Sequence, residues 1–181
     1  ADASLFRAAL NNVVSGEENS VTATAAGAAY NDKNVARANA VRYTGVALTG
    51  TGAGNYTVAD TAQGSGTITR RALTLGTVAA QTKIYDGTTT ADASQFRAAL
   101  NNLVAGEEKL VTVTATGAAY NDKNVVGANA VHYTDVVLTG KGTENYSIAN
   151  TARGAGMIMP RELTLTADVK TATQGDPLPS F

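Results

Sequence analysis

Cysteine is absent from the 181 residues, so disulfides and thiolate-ligated zinc are excluded outright. Tryptophan is absent too, and the chain has only three Phe, three Pro, two Met and one His. Charge of either sign is scarce: Lys and Arg number 14 and Asp and Glu 15, for a net charge of −1. A nucleic-acid surface needs a basic face, and no basic cluster exceeds the pair Arg70–Arg71. Nor does any apolar run approach the roughly 18 residues that span a membrane.

What remains is a chain that is 44% hydrophobic, much of it Ala and Val, and rich in Thr, Gly and Asn. Thr and Val favour pleated strands, and Gly and Asn favour turns. Composition therefore points to a mainly β protein with tight turns.

The strongest signal is internal. "ADASLFRAALNNVVSGEE" at Ala1 returns as "ADASQFRAALNNLVAGEE" at Ala91, and the register holds without a gap. About two in three of the first 75 positions are identical between the copies. A repeat of this length is a domain that buries its own core, not a solenoid unit. Differences between the copies separate the two faces. Ala23/Val113, Ala47/Val137 and Val58/Ile148 stay apolar, as buried or half-buried positions do. Arg42/His132, Thr51/Lys141 and Gly54/Glu144 change freely, as solvated positions do.

Along the second copy, Gln81–Thr89 reads as an extended segment closed by the turn signal "DGT". Asp92-Ala-Ser-Gln95 has the form of a capping box, and Phe96, Leu100 and Leu103 follow at helical spacing. Together these predict a short helix over about Ala93–Asn102. Leu110–Thr116 alternates as a half-buried strand. A longer strand is predicted over Ala130–Thr139, with a bulge near Thr134–Asp135 where the alternation slips. Tyr146–Ala149 and Gly156–Thr166 complete the set, the last carrying Ile158, Leu163 and Leu165. Pro160, lacking an N–H, belongs at an edge or bulge. The expectation is two tandem small β-rich modules, each of about five or six strands with one short helix, joined without a flexible linker as an elongated rod. Residues 1–75 form a module lacking its first strand, 76–166 a complete one, and 167–181 the opening strand of another. "KIYDGTTT" is too apolar at Ile84 and Tyr85 for a linker and reads as the first strand of the second module.

"KIYDGTTTA", followed by "YNDKNVVGANAV", "LTGKGTENYSI" and "MIMPRELTLT", resembles the YDG-type tandem repeat modules of large bacterial surface and secreted proteins, many of them filamentous-haemagglutinin-like adhesins. The tail "LTADVKTATQGDPLPSF" resembles the start of an MBG-type module, with Gln174 where an aromatic is usual. The resemblance covers nearly the whole chain. It implies an extracellular, non-enzymatic stalk or spacer of an adhesion or biofilm protein, with neighbouring repeat modules as partners and no catalytic residues. The alternative is an adhesive module that binds carbohydrate or a host protein.

Searching for chemistry yields little. His132, the sole candidate base for a nucleophilic triad, is Arg42 in the first copy. Glu17-Glu18 and Glu107-Glu108 lie just after the predicted helix near a Gly, as a solvated turn would, with no second carboxylate placed opposite. "GTGAGN" at Gly50 loses a Gly in its copy and precedes no helix, so it reads as a turn. Asn55 and Asn145 head glycosylation sequons. Lys33 and Lys123 are candidates for an intramolecular isopeptide bond. For calcium, Asn31, Asp32 and Asn34, repeated as Asn121, Asp122 and Asn124, gather oxygens in one loop, with a Lys at its centre that opposes an ion. Tyr120, Tyr133 and Tyr146, like Tyr30, Tyr43 and Tyr56, either pack in the core with hydroxyls at its rim or line a carbohydrate platform. No cofactor is implied beyond this calcium candidate. The tail, through "ADVKTATQGD", is expected to contact an open strand slot of a neighbouring chain, head to tail.

Overall fold

The computed structural model describes residues 1–175 and 177. The first module contains β1 (Thr22–Thr24), β2 (Gly27–Tyr30), β3 (Ala40–Thr44), β4 (Ala47–Thr49) and β5 (Thr61–Ser65). β2, β3 and β5 form an antiparallel sheet, and β1 pairs with β4. The second copy repeats this as β10 (Val111–Thr114), β11 (Gly117–Tyr120), β12 (Ala130–Thr134), β13 (Val137–Gly140) and β15 (Thr151–Met159). Registers coincide: Gly27↔Thr44 becomes Gly117↔Thr134, and Ala40↔Ser65 becomes Ala130↔Ala155.

To this shared frame the second module adds β6 (Arg71–Ala72), β7 (Thr74–Val78), β8 (Gln81–Ile84), β9 (Ala98–Asn101) and β14 (Tyr146–Ser147). β8 joins the sheet beside β15 in parallel, giving the order β11–β12–β15–β8. β7 pairs with β9, and β6 with β14. The second module thus begins before residue 76. Leu73, 4% exposed, already packs with Val111 and Tyr146.

The ten-residue helix does not form. Asp92 caps as expected, its carboxylate accepting from the Ser94 amide at 2.9 Å. Only one 3-10 turn follows, Ala93–Gln95, before Phe96 turns extended and Ala98–Asn101 becomes β9. Two competitors defeat the helix. The Asp92 amide, which a capping box returns to Gln95, donates instead to the Gln81 side chain. Leu100 finds a cross-strand partner in Leu75. An isolated helix of this length is marginal, so a tertiary ladder prevails.

The bulged strand is likewise two strands in two sheets, broken at Asp135. That residue is left-handed, with φ 53°, and its counterpart Gly45 has φ 60°. A Gly/Asp exchange between copies is what a left-handed position permits. The final strand is Thr151–Met159 and stops at Pro160. Leu163 and Leu165 lie beyond it, 87% and 97% exposed. Of the tail, residues 167–175 carry no strand, and most of "DPLPSF" falls outside the described residues.

Gln81, Lys83 and Tyr85 face inward from β8, whereas Ile84 is 58% exposed. The core of the second module comprises Val78, Phe96, Val131, Tyr133, Val136 and Ile158. Phe96 and Tyr133 meet at 4.8 Å between ring centroids, and Phe6 and Tyr43 repeat the contact at 4.7 Å.

Candidate functional site

The three candidate tyrosines of the second module are interior. Tyr120, Tyr133 and Tyr146 are 3%, 1% and 3% exposed and present no platform for a sugar. Their hydroxyls work inside. The Tyr133 hydroxyl accepts from the Gln81 amide at 2.7 Å. The Tyr146 hydroxyl donates to Glu107 at 2.6 Å and accepts from the Val104 amide. Burial raises the pKa of all three phenols, and for Tyr146 the Glu107 carboxylate adds to the effect. The paired glutamates are turn fittings: Glu107 holds Tyr146, and Glu108 accepts from the Gly106 amide.

Asn121, Asp122 and Asn124 do meet in one loop, where Asn121 Oδ1 and Asp122 Oδ1 accept from the chain itself. Asn121 Oδ1 accepts from the Asn129 and Ala130 amides, and its Nδ2 donates to the Gly127 carbonyl. Asp122 Oδ1 accepts from the backbone and side-chain N–H groups of Asn124 at 2.7 and 3.0 Å. The loop closes on itself as side-chain-stabilised turns do. Among the described residues no group of three or more His, Cys, Asp or Glu side chains could hold a metal. His132 is exposed on β12, opposite Arg153.

Two arrangements escaped sequence reasoning. The first is built by "KIYDGTT". Lys83 Nζ donates to Asp86 Oδ1 (2.8 Å), the Thr88 carbonyl (2.9 Å), Thr88 Oγ1 (3.1 Å) and the Thr90 carbonyl (3.0 Å). It also sits 5.3 Å from the Tyr120 ring centroid. The ammonium thus fills an oxygen-lined turn the way a bound cation does. Gly87, at φ 80°, allows the chain to reverse inside it. Asp86 Oδ1 also accepts from the Thr88 amide and hydroxyl, and with the Lys83 bond these hold its carboxyl down to about 2. The hairpin lies over Tyr120, whose amide donates to the Thr89 carbonyl at 2.7 Å. The first copy shows the difference: Tyr30, with no such cover, is 38% exposed.

The second arrangement is the joint between modules. Asn145, read from the sequence as a glycosylation acceptor, accepts from the Val35 amide at 2.9 Å and donates to Asn34 Oδ1 at 3.0 Å. Arg70 Nε donates to the Glu144 carbonyl. Beside it, the Leu73 amide donates to the Ser147 carbonyl at 2.8 Å. Arg71 grips Asn102 Oδ1, and Asn102 Nδ2 donates back to the Ala72 carbonyl. Asn102 does this from a left-handed backbone, φ 72°. The signal for Asn145 lay in its "NYS" context, which also describes a glycan acceptor and so masked a packing role.

The YDG domain family matches this chain over residues 1–63 and again over 69–153. No curated protein and no solved structure matches it.

Proposed function

The chain belongs to the YDG domain family as two modules in tandem, and from that premise we propose that it is a non-enzymatic stalk repeat of a bacterial surface or secreted adhesin, spacing an adhesive region from the cell. The observation that carries this reading is the parallel pairing of β8, near the entry of the second module, with β15, at its exit: Gly156↔Gln81 through Met159↔Ile84. Tension applied to the two ends of a module pulls these strands along their lengths in opposite senses. Their hydrogen bonds then carry load together instead of opening one by one. The joint adds to this, because the segment that follows the first module, Arg71–Leu75, packs within the second module, leaving no slack linker.

Single-molecule pulling of the chain tests the reading. The second module is expected to rupture at a higher force than the first, which has no strand beside β5 on that edge among the described residues. Equal, low forces for both modules would remove the mechanical argument. Saturable binding of the chain to a glycan array or to host cells, lost on surface mutation, would favour the adhesive alternative.

A further inference from the structure

The joint inside this chain has two halves, and each half has an unused copy. The donor half is Arg71–Leu75, the segment that follows the first module, with Leu73 buried against Val111 and Tyr146, together with the Asn34 loop of the first module. Its copy is Arg161-Glu-Leu-Thr-Leu165, where Leu163 and Leu165 are 87% and 97% exposed, together with the Asn124 loop. The receiving half is Tyr146–Ser147, Asn145, Asn102 and Val111. Its copy in the first module is Tyr56–Thr57, Asn55, Asn12 and Val21, with Asn12 left-handed like Asn102. Tyr56 keeps the internal bonds of Tyr146, donating to Glu17 at 2.6 Å and accepting from the Val14 amide. The phenol is therefore already set in the receiving position. Yet Tyr56–Thr57 has no strand partner among the described residues, and Tyr56 is half-buried where Tyr146 is 3% exposed.

We propose that the first module takes an Arg-x-Leu-Thr-Leu strand from a neighbouring module, supplied between separate chains by Arg161–Leu165 of a second copy, head to tail. The strand adds in parallel to Tyr56–Thr57 as Arg71–Ala72 adds to Tyr146–Ser147, its first Leu covers the half-buried Tyr56, and the partner's Asn124 loop meets Asn55. The match ends at Leu165. Beyond it the buried Val78 and Gln81 are replaced by Asp168 and Thr171, so "ADVKTATQGD" does not fill the β8 slot and the docking segment lies upstream of it. Pro160 in place of Arg70 removes the contact to the Glu144-type carbonyl, so this joint is weaker than the internal one. Because donor and receiver are different surfaces, association adds chains end to end without a symmetric stop. The inference concerns a surface and stands apart from the spacing role.

Sedimentation of the 181-residue chain from about 10 μM to about 1 mM tests it. Average mass is expected to rise with concentration beyond a dimer. Leu163→Asp with Leu165→Asp, both at exposed positions, is expected to raise the dissociation constant at least about tenfold. Asn55→Ala is expected to weaken association, and Val169→Asp, outside the copied stretch, to leave it unchanged. A tail variant mixed with an Asn55→Ala chain retains one competent joint and is expected to stop at a 1:1 pair. A wild-type chain that stays monomeric throughout, or association unmoved by the leucine changes, overturns the proposal.

Discussion

The Gln81 side-chain amide donates at 2.7 Å both to the Tyr133 hydroxyl and to the Asp92 carbonyl, tying β8 to β12 across the intervening β15. Among the described residues Gln81 is the one buried polar side chain, 4% exposed, and its carbonyl oxygen is satisfied by the Asp92 amide. Tyr133→Phe leaves one buried N–H without a partner, which costs about 1–2 kcal/mol. Tyr43, in the equivalent place, has no such donor facing it among the described residues, so Tyr43→Phe is expected to shift stability by less than about 0.5 kcal/mol. Denaturant titrations of the two variants measure the difference.

Asp86 gives the second module a particular acid sensitivity. Its hydrogen bonds to Lys83 and Thr88 lower its pKa from 3.8 to about 2. A carboxylate with a depressed folded value stabilises the fold above its unfolded value and loses that contribution as pH falls toward the folded one. The hairpin is therefore expected to weaken between about pH 4 and pH 2. Asp86→Asn should flatten that portion of the profile. Near-ultraviolet circular dichroism of Tyr120 and Tyr133, followed against pH, reads it. An unchanged profile in the variant contradicts the assignment.

Ile158 and Ile68 are the same residue in two environments. Ile158 is 1% exposed against Phe96, Tyr133 and their neighbours, while Ile68 is only half-buried. Ile158→Ala is expected to cost about 2–4 kcal/mol and Ile68→Ala about half of that or less. Thermal unfolding of each variant compares them directly.

Asn145→Ala removes two hydrogen bonds that cross between modules, and its expected cost to global stability is only about 1 kcal/mol. Its larger effect falls on the joint. Residual dipolar couplings of the two modules, which report their relative order, are expected to diverge in the variant and to agree in the wild type. Unaltered couplings would show that the contacts of Arg70, Arg71 and Leu73 hold the joint without Asn145.

Much was legible from self-comparison. Duplication set two modules, and alternation placed β10 to within two residues and the start of β12 at Ala130, whereas β11 lies where "AAYNDKN" reads as a polar turn; of the conservative exchanges Ala23/Val113 is half-buried as expected, while Ala47, Val137 and Val58 are exposed. The helix over Ala93–Asn102 was misread because the apolar spacing of Phe96, Leu100 and Leu103 is compatible with a helix and, equally, with one turn followed by a strand. What decides between them is Leu75, more than twenty residues upstream, which no local pattern reveals. The apolar pair Ile84 and Tyr85 marks a strand in the sequence but not its facing: the register of β8 on β15 sends Gln81 and Lys83 inside and leaves Ile84 exposed.

By itself the sequence determined composition class, copy number and the local turn chemistry, since these depend on residue type and short spacing: Asp92 caps Ser94, and Asp122 closes on Asn124. Only the tertiary structure decided what Lys83, Gln81 and Asn145 do. Each is a polar group whose partners lie across a hairpin, a sheet or a module boundary, and the free energy of satisfying a polar group depends on what surrounds it once the chain is folded.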